Sequence, residues 1–266
     1  MKICAYINEK VGYLTLKELY KNKIFIPLVF TSSVNRKDKI SDWLDFNRYK
    51  KEFKKTKFIS IDNPNSKIVT KKIKDFKPDL IIVISWSQII SKKILNIPTC
   101  GVITSHYSKL PLRRGGAPLF WAIKDNLKYL GISIYYMEAG IDDGDIIKQT
   151  TIKINTDDDA TKLMSKIYKR YPKFYSKTLM QVVKKKSKRV PQNHKFATYT
   201  KTRKPEDGLI NFDQNFNEIS RFIMALCPPY PCAYFQAIDS NGKNKKFKLL
   251  SSKKKDGKTI LSGYLE

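Results

Sequence analysis

Hydrophobic and polar positions follow two different periods along the chain, and these periods predict the secondary structure. Short apolar runs bounded by polar residues or proline predict buried strands, whereas apolar residues spaced three or four apart predict helices. The predicted strands are residues 2–7, 24–31, 58–61, 79–85, 101–105 and 131–137. The predicted helices are 14–22, 66–76, 117–126 and a long segment within 157–188. Pro172 is expected to kink or break that last helix.

Strands that alternate with helices are typical of a mostly parallel sheet covered on both faces. We therefore predict an α/β fold with a mostly parallel, doubly wound (Rossmann-like) sheet and a small C-terminal β-rich appendage. The segment IDSNGKNKKFKLL supports the appendage, because Asn241-Gly242 suits a tight type I′ hairpin turn. The expected domains are a catalytic domain, 1–190, and a subdomain of one helix and a hairpin, 191–266.

Three polar loops follow predicted strands of this sheet. SWSQ follows DLIIVI, SHYSKLPLRRGG follows GVIT, and EAGIDDGD follows GISIYYM. Sheets of this class bind ligands at the carboxyl ends of their strands, so a site is predicted where the three loops meet. His106 in the second loop and a carboxylate of the third have the chemistry for proton transfer. A hydrogen-bonded loop histidine beside a solvated acidic turn is the alternative interpretation.

The formal net charge of +28 raises the question of nucleic-acid binding. Only eight of the 52 basic residues are arginine, and the lysines are spread through every segment. Nucleic-acid interfaces favour arginine, so we interpret the charge as a solvated surface and do not expect a nucleic-acid partner. The four cysteines are scattered, and no apolar run reaches about 18 residues. These patterns predict a cytoplasmic protein without membrane insertion and without a metal site.

Two segments carry a family resemblance. TSHYSKLPLRRGGAP (104–118) and GISIYYMEAGIDDGDII (131–147) resemble the signature of the 10-formyltetrahydrofolate-dependent formyltransferases. The resemblance continues through PDLIIVISWSQIISKKILNIP, TRKPEDGLINF and PPYPCAYF, and so covers most of the chain. It implies 10-formyltetrahydrofolate as the formyl donor and no metal.

The resemblance also implies site residues. His106 matches the catalytic histidine and Asp142 the catalytic aspartate, whereas Asp143 falls on a variable position. Thr104 stands where the family usually has asparagine, and this departure concerns the contact to the oxyanion. The implied folate-binding residues are Trp86, Ser87, Gln88, Ile89, Ile90, Met137, Glu138 and Asp142. The implied substrate-binding residues are Lys10, Arg113, Arg114 and Tyr230.

The expected acceptor also comes from the resemblance. RKPEDGLINF followed by PPYP is most similar to enzymes that act on nucleotide-linked amino sugars. The leading hypothesis is therefore formyl transfer to the primary amine of such a sugar. Methionyl-tRNA formyltransferase is the alternative, and a basic RNA-binding protein of the same fold, without activity, is the third. The identity of the sugar, its nucleotide and the oligomeric state stay open, and a homodimer is one option.

Overall fold

The computed structural model describes residues 1–256 and 258–266. Twelve strands occur in this part of the chain: β1 Ile3–Ile7, β2 Leu28–Ser32, β3 Lys57–Ile61, β4 Leu80–Ile84, β5 Val102–His106, β6 Arg114–Gly115, β7 Tyr129–Tyr136, β8 Ile146–Lys153, β9 Tyr199–Thr200, β10 Ala233–Ile238, β11 Asn244–Lys255 and β12 Lys258–Leu265. The α-helices are α1 Glu9–Lys21, α2 Lys67–Phe76, α3 Lys92–Leu95, α4 Pro118–Lys124, α5 Ala160–Val183 and α6 Phe216–Leu226.

The main sheet has seven strands in the order β3-β2-β1-β4-β5-β7-β8. β1 is parallel to β2 and β4, β2 is parallel to β3, and β4 is parallel to β5. β7 runs antiparallel to β5. The order reverses between β1 and β4, and such a switch point is where sheets of this class form their ligand crevice. This architecture confirms the predicted mostly parallel, Rossmann-like fold.

The central strands explain why the apolar runs predicted the sheet so well. Every residue of β1 and β4 is buried, so these strands have apolar neighbours on both faces. β8 was not predicted, because its side chains are mostly half-exposed and its sequence, IIKQTTIK, has no continuous apolar run. A partly exposed strand near the sheet edge gives a weaker sequence signal than a central one.

Of the two outcomes predicted for Pro172, a kink or a break, the break does not occur. α5 is continuous from Ala160 to Val183 with Pro172 inside it. Tyr171, Tyr175 and Leu179 lie on the same stripe of this helix and are fully or almost fully buried. Burial of this stripe offsets the hydrogen bond that proline cannot donate.

The chain divides into two compact units that interleave in sequence. The first comprises Met1–Arg114, Gly131–Thr150 and Ile167–Thr198, and the second comprises Gly115–Leu130, Thr151–Lys166 and Tyr199–Glu266. The expected domain boundary at residue 190 stays a prediction. Within residues 1–256 and 258–266, no helix has the length and apolar character needed to cross a membrane.

The second unit contains the three-stranded antiparallel sheet β10-β11-β12, in agreement with the predicted β-rich appendage. Its β10–β11 turn differs from the predicted type I′ geometry. Gly242 has a φ of 76°, whereas Asn241 does not have a positive φ, and a type I′ turn requires one at both central residues. The Gly242 N–H donates instead to the Asp239 carbonyl, at 3.0 Å, so Ser240 and Asn241 are the central residues of the turn.

Candidate active site

His106 is the last residue of β5 and is buried between two hydrogen-bond acceptors. Its Nε2 lies 2.8 Å from the Arg113 carbonyl oxygen, and its Nδ1 lies 3.5 Å from Oδ2 of Asp142. A carbonyl oxygen can only accept, so the Nε2 atom carries a hydrogen. The Nδ1 atom is therefore the one that can take up a further proton, directly beside a carboxylate. The ring is thus held between a backbone carbonyl and a carboxylate.

Asp142 lies in the loop between β7 and β8, in a left-handed conformation with a φ of 49°. The Tyr135 hydroxyl donates to its Oδ1 at 2.5 Å. The Gln192 amide donates to the Asp142 carbonyl at 2.9 Å and to the Gly144 carbonyl at 2.7 Å. A Cβ atom on Gly144 would lie 1.9 Å from the Tyr136 carbonyl oxygen, so this position accepts only glycine. Hydrogen bonds to the Asp142 side chain and to the backbone of the loop therefore both hold the loop in place.

Thr104 and His106 are two residues apart on β5, so their side chains lie on the same face of the sheet. Thr104 is buried, and in the antiparallel pair it faces Tyr135 of β7. Within the described ranges, 1–256 and 258–266, no protein group forms a hydrogen bond with the Thr104 hydroxyl. Ser105 points to the other face, where its hydroxyl lies 2.7 Å from that of Tyr171. The Thr104 hydroxyl is thus the one with hydrogen-bonding capacity to spare beside His106.

The two predicted substrate arginines differ in their surroundings. Arg114 is 2% exposed, and its Nη2 donates to Oε1 of Gln192 at 2.7 Å and lies 3.3 Å from Nδ1 of His194. Arg113 is half-buried with a φ of 58°, and its N–H donates to the Thr198 hydroxyl at 2.9 Å. Arg114 supports the Gln192 side chain, and Arg113 supports His106 through its carbonyl oxygen. Contact of either arginine with a substrate stays a prediction.

The first predicted folate segment follows β4. Gln88 donates to the Asp62 carbonyl at 3.0 Å, and Asn65 donates to the Ile89 carbonyl at 2.8 Å, so both contacts hold the loop in place. Nε1 of Trp86 and Oε1 of Gln88 are buried and have no hydrogen-bond partner in the part of the chain that the structure describes. The loop therefore holds one unused donor and one unused acceptor.

The second predicted folate segment begins at Met137, directly after β7. Met137 and Trp86 of the first segment are both partly buried against one hydrophobic core cluster, which includes Ile90 and Val102. The Met137 N–H donates to the Val102 carbonyl at 2.8 Å, which fixes the exit of β7 against β5. The other predicted residues of these segments, Ser87, Ile89 and Glu138, are exposed. Trp86 and Met137 are therefore partly buried apolar side chains, and their contact with a folate stays a prediction.

Lys10 follows β1 and is exposed, with its Nζ 5.0 Å from the centroid of the Tyr168 ring. Beside it, Glu9 has a left-handed φ of 62°. Although Glu9 is partly exposed as a residue, burial of its carboxyl group, together with the charge of Asp42, raises its pKa to about 8. A hydrogen bond from Ser85 opposes this shift. The role of Lys10 in substrate binding stays a prediction, and the raised pKa of Glu9 was not foreseen.

Tyr230 belongs to the second unit, where its N–H donates to the Cys227 carbonyl at 3.2 Å. Its role in substrate binding stays a prediction.

The cysteines Cys227 and Cys232 are buried and free, and burial raises the pKa of the Cys227 thiol to about 12. Outside residue 257, which the structure leaves undescribed, no group of three or more histidine, cysteine or acidic residues is arranged to hold a metal ion.

The structure adds three site residues that sequence reasoning missed. Tyr135 binds Asp142, Gln192 binds the Asp142 loop, and Gln149 donates to the Leu110 carbonyl and to the Ser133 hydroxyl, both at 2.8 Å. For Tyr135 a signal existed, since it lies two residues before Met137 and hence on the same face of the strand. No signal in the sequence pointed to Gln192 or Gln149, because a glutamine within a polar stretch does not form a distinctive pattern.

The fold and this site define an α/β protein with a buried histidine–carboxylate pair at the carboxyl edge of its sheet, an arrangement suited to group transfer. The Formyl transferase family matches residues 11–179, and the family "Formyl transferase, C-terminal domain" matches residues 203–263. The first match alone covers more than half of the chain. The protein therefore belongs to the formyl transferase family.

Individual relatives agree with this assignment. The chain is 31% identical over 241 residues to the bifunctional polymyxin resistance protein ArnA of Wigglesworthia glossinidia brevipalpis, covering 90% of this chain and 36% of that protein. It is 35% identical over 185 residues to the methionyl-tRNA formyltransferase of Agathobacter rectalis, covering 70% of this chain and 58% of that enzyme. The chain thus spans between about a third and three fifths of the length of these curated relatives.

Solved structures show the same fold. A sugar N-formyltransferase from Shewanella superposes with a TM-score of 0.72 at 16% identity, covering 96% of this chain and 99% of that one. The methionyl-tRNA formyltransferase from Clostridium thermocellum superposes with a TM-score of 0.68 at 23% identity, covering 100% and 99% of the two chains. Both substrate classes of the family therefore occur among proteins of this fold.

Proposed function

We propose that the protein transfers the formyl group of 10-formyltetrahydrofolate to the primary amine of a nucleotide-linked amino sugar. The observation that carries the proposal is the placement of His106, whose two ring nitrogens face the Arg113 carbonyl and the Asp142 carboxylate. This arrangement lets the imidazole take up a proton and keep it for the duration of one transfer step.

The residues present fit a reduced folate. A pterin ring offers a flat apolar surface together with hydrogen-bond donors and acceptors at its edge. The partly buried Trp86 and Met137 supply an apolar wall, and the unused Nε1 of Trp86 and Oε1 of Gln88 supply a donor and an acceptor. Two solved relatives support this assignment: a sugar 3N-formyl transferase in the presence of dTDP and 5-N-formyl-THF, and an N-formyltransferase in complex with folinic acid and dTDP-3-aminofucose.

The folate supplies an activated formyl carbon when it is bound. In the transfer, a bond forms between the substrate nitrogen and this carbon, and the bond from the carbon to N10 of the folate breaks. The Nδ1 atom of His106 takes the surplus proton of the attacking amine, and Asp142 stabilises the imidazolium. The proton then passes to N10 as tetrahydrofolate leaves. The Thr104 hydroxyl donates to the oxygen on which negative charge develops.

The amino-sugar acceptor is supported by structures that match nearly the whole chain. The Shewanella enzyme and a 4-N formyltransferase from Francisella tularensis superpose with TM-scores of 0.72 and 0.69 and cover at least 95% of this chain. Methionyl-tRNA is the second candidate, which the curated methionyl-tRNA formyltransferases and the net charge of +28 favour. The two acceptors differ in the number of phosphate charges that the protein would contact, so the salt dependence of binding distinguishes them.

The decisive experiment is a formylation assay with two kinds of acceptor. The protein is incubated with 10-formyltetrahydrofolate and either a panel of nucleotide amino sugars or aminoacylated initiator tRNA, and formyl incorporation is followed by mass spectrometry. We expect an amino sugar to be formylated. Binding should weaken only modestly with salt, because few phosphates are contacted, whereas a polynucleotide gives a steep slope of log affinity against log salt. Formylation of tRNA alone, with that steep slope, would replace the proposed acceptor.

The catalytic assignment is tested by variants with a matched control. His106→Ala and Asp142→Asn should each lower turnover by roughly 10² to 10⁴-fold, the usual contribution of a proton-transfer group. Affinity for a folate analogue should stay close to that of the wild type, since neither change removes Trp86 or Met137. Asp143→Asn alters the adjacent carboxylate and should retain most of the activity. Full turnover in the His106 variant would refute the site.

A further inference from the structure

Tyr135 shares the Asp142 carboxylate with His106. Its side chain is 3% exposed, and its hydroxyl donates to Oδ1 of Asp142 at 2.5 Å. The other oxygen, Oδ2, lies 3.5 Å from Nδ1 of His106. In the strand pairing Tyr135 faces Thr104, so its ring lies on the same face of the sheet as the proposed oxyanion donor. The two oxygens of one carboxylate are thus divided between a phenol and an imidazole.

The phenol stays a donor throughout the neutral pH range. Burial raises the pKa of Tyr135 well above its usual range, and the charges of Asp142 and Asp143 raise it further, whereas Arg114 acts in the opposite direction. A protonated phenol that donates to a carboxylate draws part of its negative charge. The Asp142 carboxylate therefore presents less negative charge to His106 than it would without this donor.

We propose that Tyr135 is a positioning residue that aims the Asp142 carboxylate at His106 and weakens its hold on the imidazolium proton. This inference rests on the proposed function, because it assigns Tyr135 a part in the same transfer. With the phenol present, His106 releases its proton to N10 of the departing folate at neutral pH. Without it, the carboxylate retains the imidazolium, and the neutral ring that must accept the amine proton becomes scarce.

The kinetic test compares Tyr135→Phe with Tyr136→Phe. Tyr136 is the next residue of β7, and its ring lies on the other face of the sheet, 3.6 Å from the Arg189 guanidinium. From about pH 5.5 to 9, Tyr135→Phe should move the acid limb of the kcat profile up by roughly half to one pH unit. On the acid limb, turnover at a given pH should fall roughly threefold to tenfold and recover at higher pH, with KM for the folate unchanged. Tyr136→Phe should match the wild type.

A second measurement needs no substrate, so it separates this inference from the proposed function. The chain has only two histidines, His106 and His194, and the His106→Ala variant identifies which imidazole proton resonance belongs to which ring. In an NMR titration of Tyr135→Phe, the His106 midpoint should rise while the His194 midpoint stays unchanged. An unchanged His106 midpoint, or a loss of turnover that high pH does not restore, would overturn the positioning role. A shifted midpoint in a protein that formylates no acceptor would support that role and refute the function.

Discussion

Gln192→Ala tests how strongly the tertiary structure supports the Asp142 loop. The Gln192 amide donates to the buried Gly144 carbonyl at 2.7 Å and to the partly buried Asp142 carbonyl at 2.9 Å, and it accepts from the Arg114 guanidinium at 2.7 Å. The change leaves two carbonyls and one guanidinium without these partners. Each buried group that loses a hydrogen bond costs up to about 1–3 kcal/mol, and its remaining contacts and water that enters the space offset part of this cost. We therefore expect the free energy of unfolding to fall by about 3 kcal/mol.

Thermal and urea unfolding measure this loss. For a chain of this size, about 3 kcal/mol corresponds to a fall in Tm of roughly 6–12 °C. Gln181→Ala is the matched control, because Gln181 lies exposed near the end of α5 and its side chain accepts a 3.4 Å hydrogen bond from Lys148. Equal Tm values for the two variants would refute the reasoning. Turnover of Gln192→Ala, measured at a temperature well below the Tm of this variant, should also be lower than that of the wild type. Normal turnover at that temperature would limit Gln192 to a role in stability.

Two further outcomes are expected. Thr104→Val keeps the β-branched shape but removes the hydroxyl, so turnover should fall roughly tenfold to a hundredfold at constant affinity for a folate analogue, and unchanged turnover would eliminate the donor role. The pKa of Glu9 is raised from 4.5 to about 8 in the folded protein, so the folded state keeps a proton that the unfolded state loses between these values. The free energy of unfolding should therefore fall as pH rises through this window, by up to about 1.4 kcal/mol per pH unit. Urea unfolding of Glu9→Gln should lack this component, whereas Glu18→Gln on the same helix should retain it.

The amino-acid sequence by itself determined the central strands of the sheet and indicated the loops of the candidate site. Runs such as LIIVI are apolar at every position, and only a strand buried on both faces satisfies such a run, so β4 followed from pattern alone. The polar loops after the parallel strands β4 and β5 had to lie at one edge once these strands were placed. β7 is antiparallel to β5, so the return of its loop to His106 was decided by the tertiary structure. The motifs around His106 and Asp142 added the chemistry of the family.

Only the tertiary structure decided how that chemistry is held. The sequence could not show that Arg114 turns inward to Gln192, because a side chain's partner 78 residues away depends on how distant elements pack. The same holds for the hydroxyl of Tyr135, since strand alternation fixes the face of a residue but not the atom it reaches. Pro172 illustrates a related point: local propensity predicts a kink or a break, whereas a buried stripe along α5 stabilises the unbroken helix. Local pattern depends on neighbours in the chain, and a hydrogen bond between distant residues depends on neighbours in space.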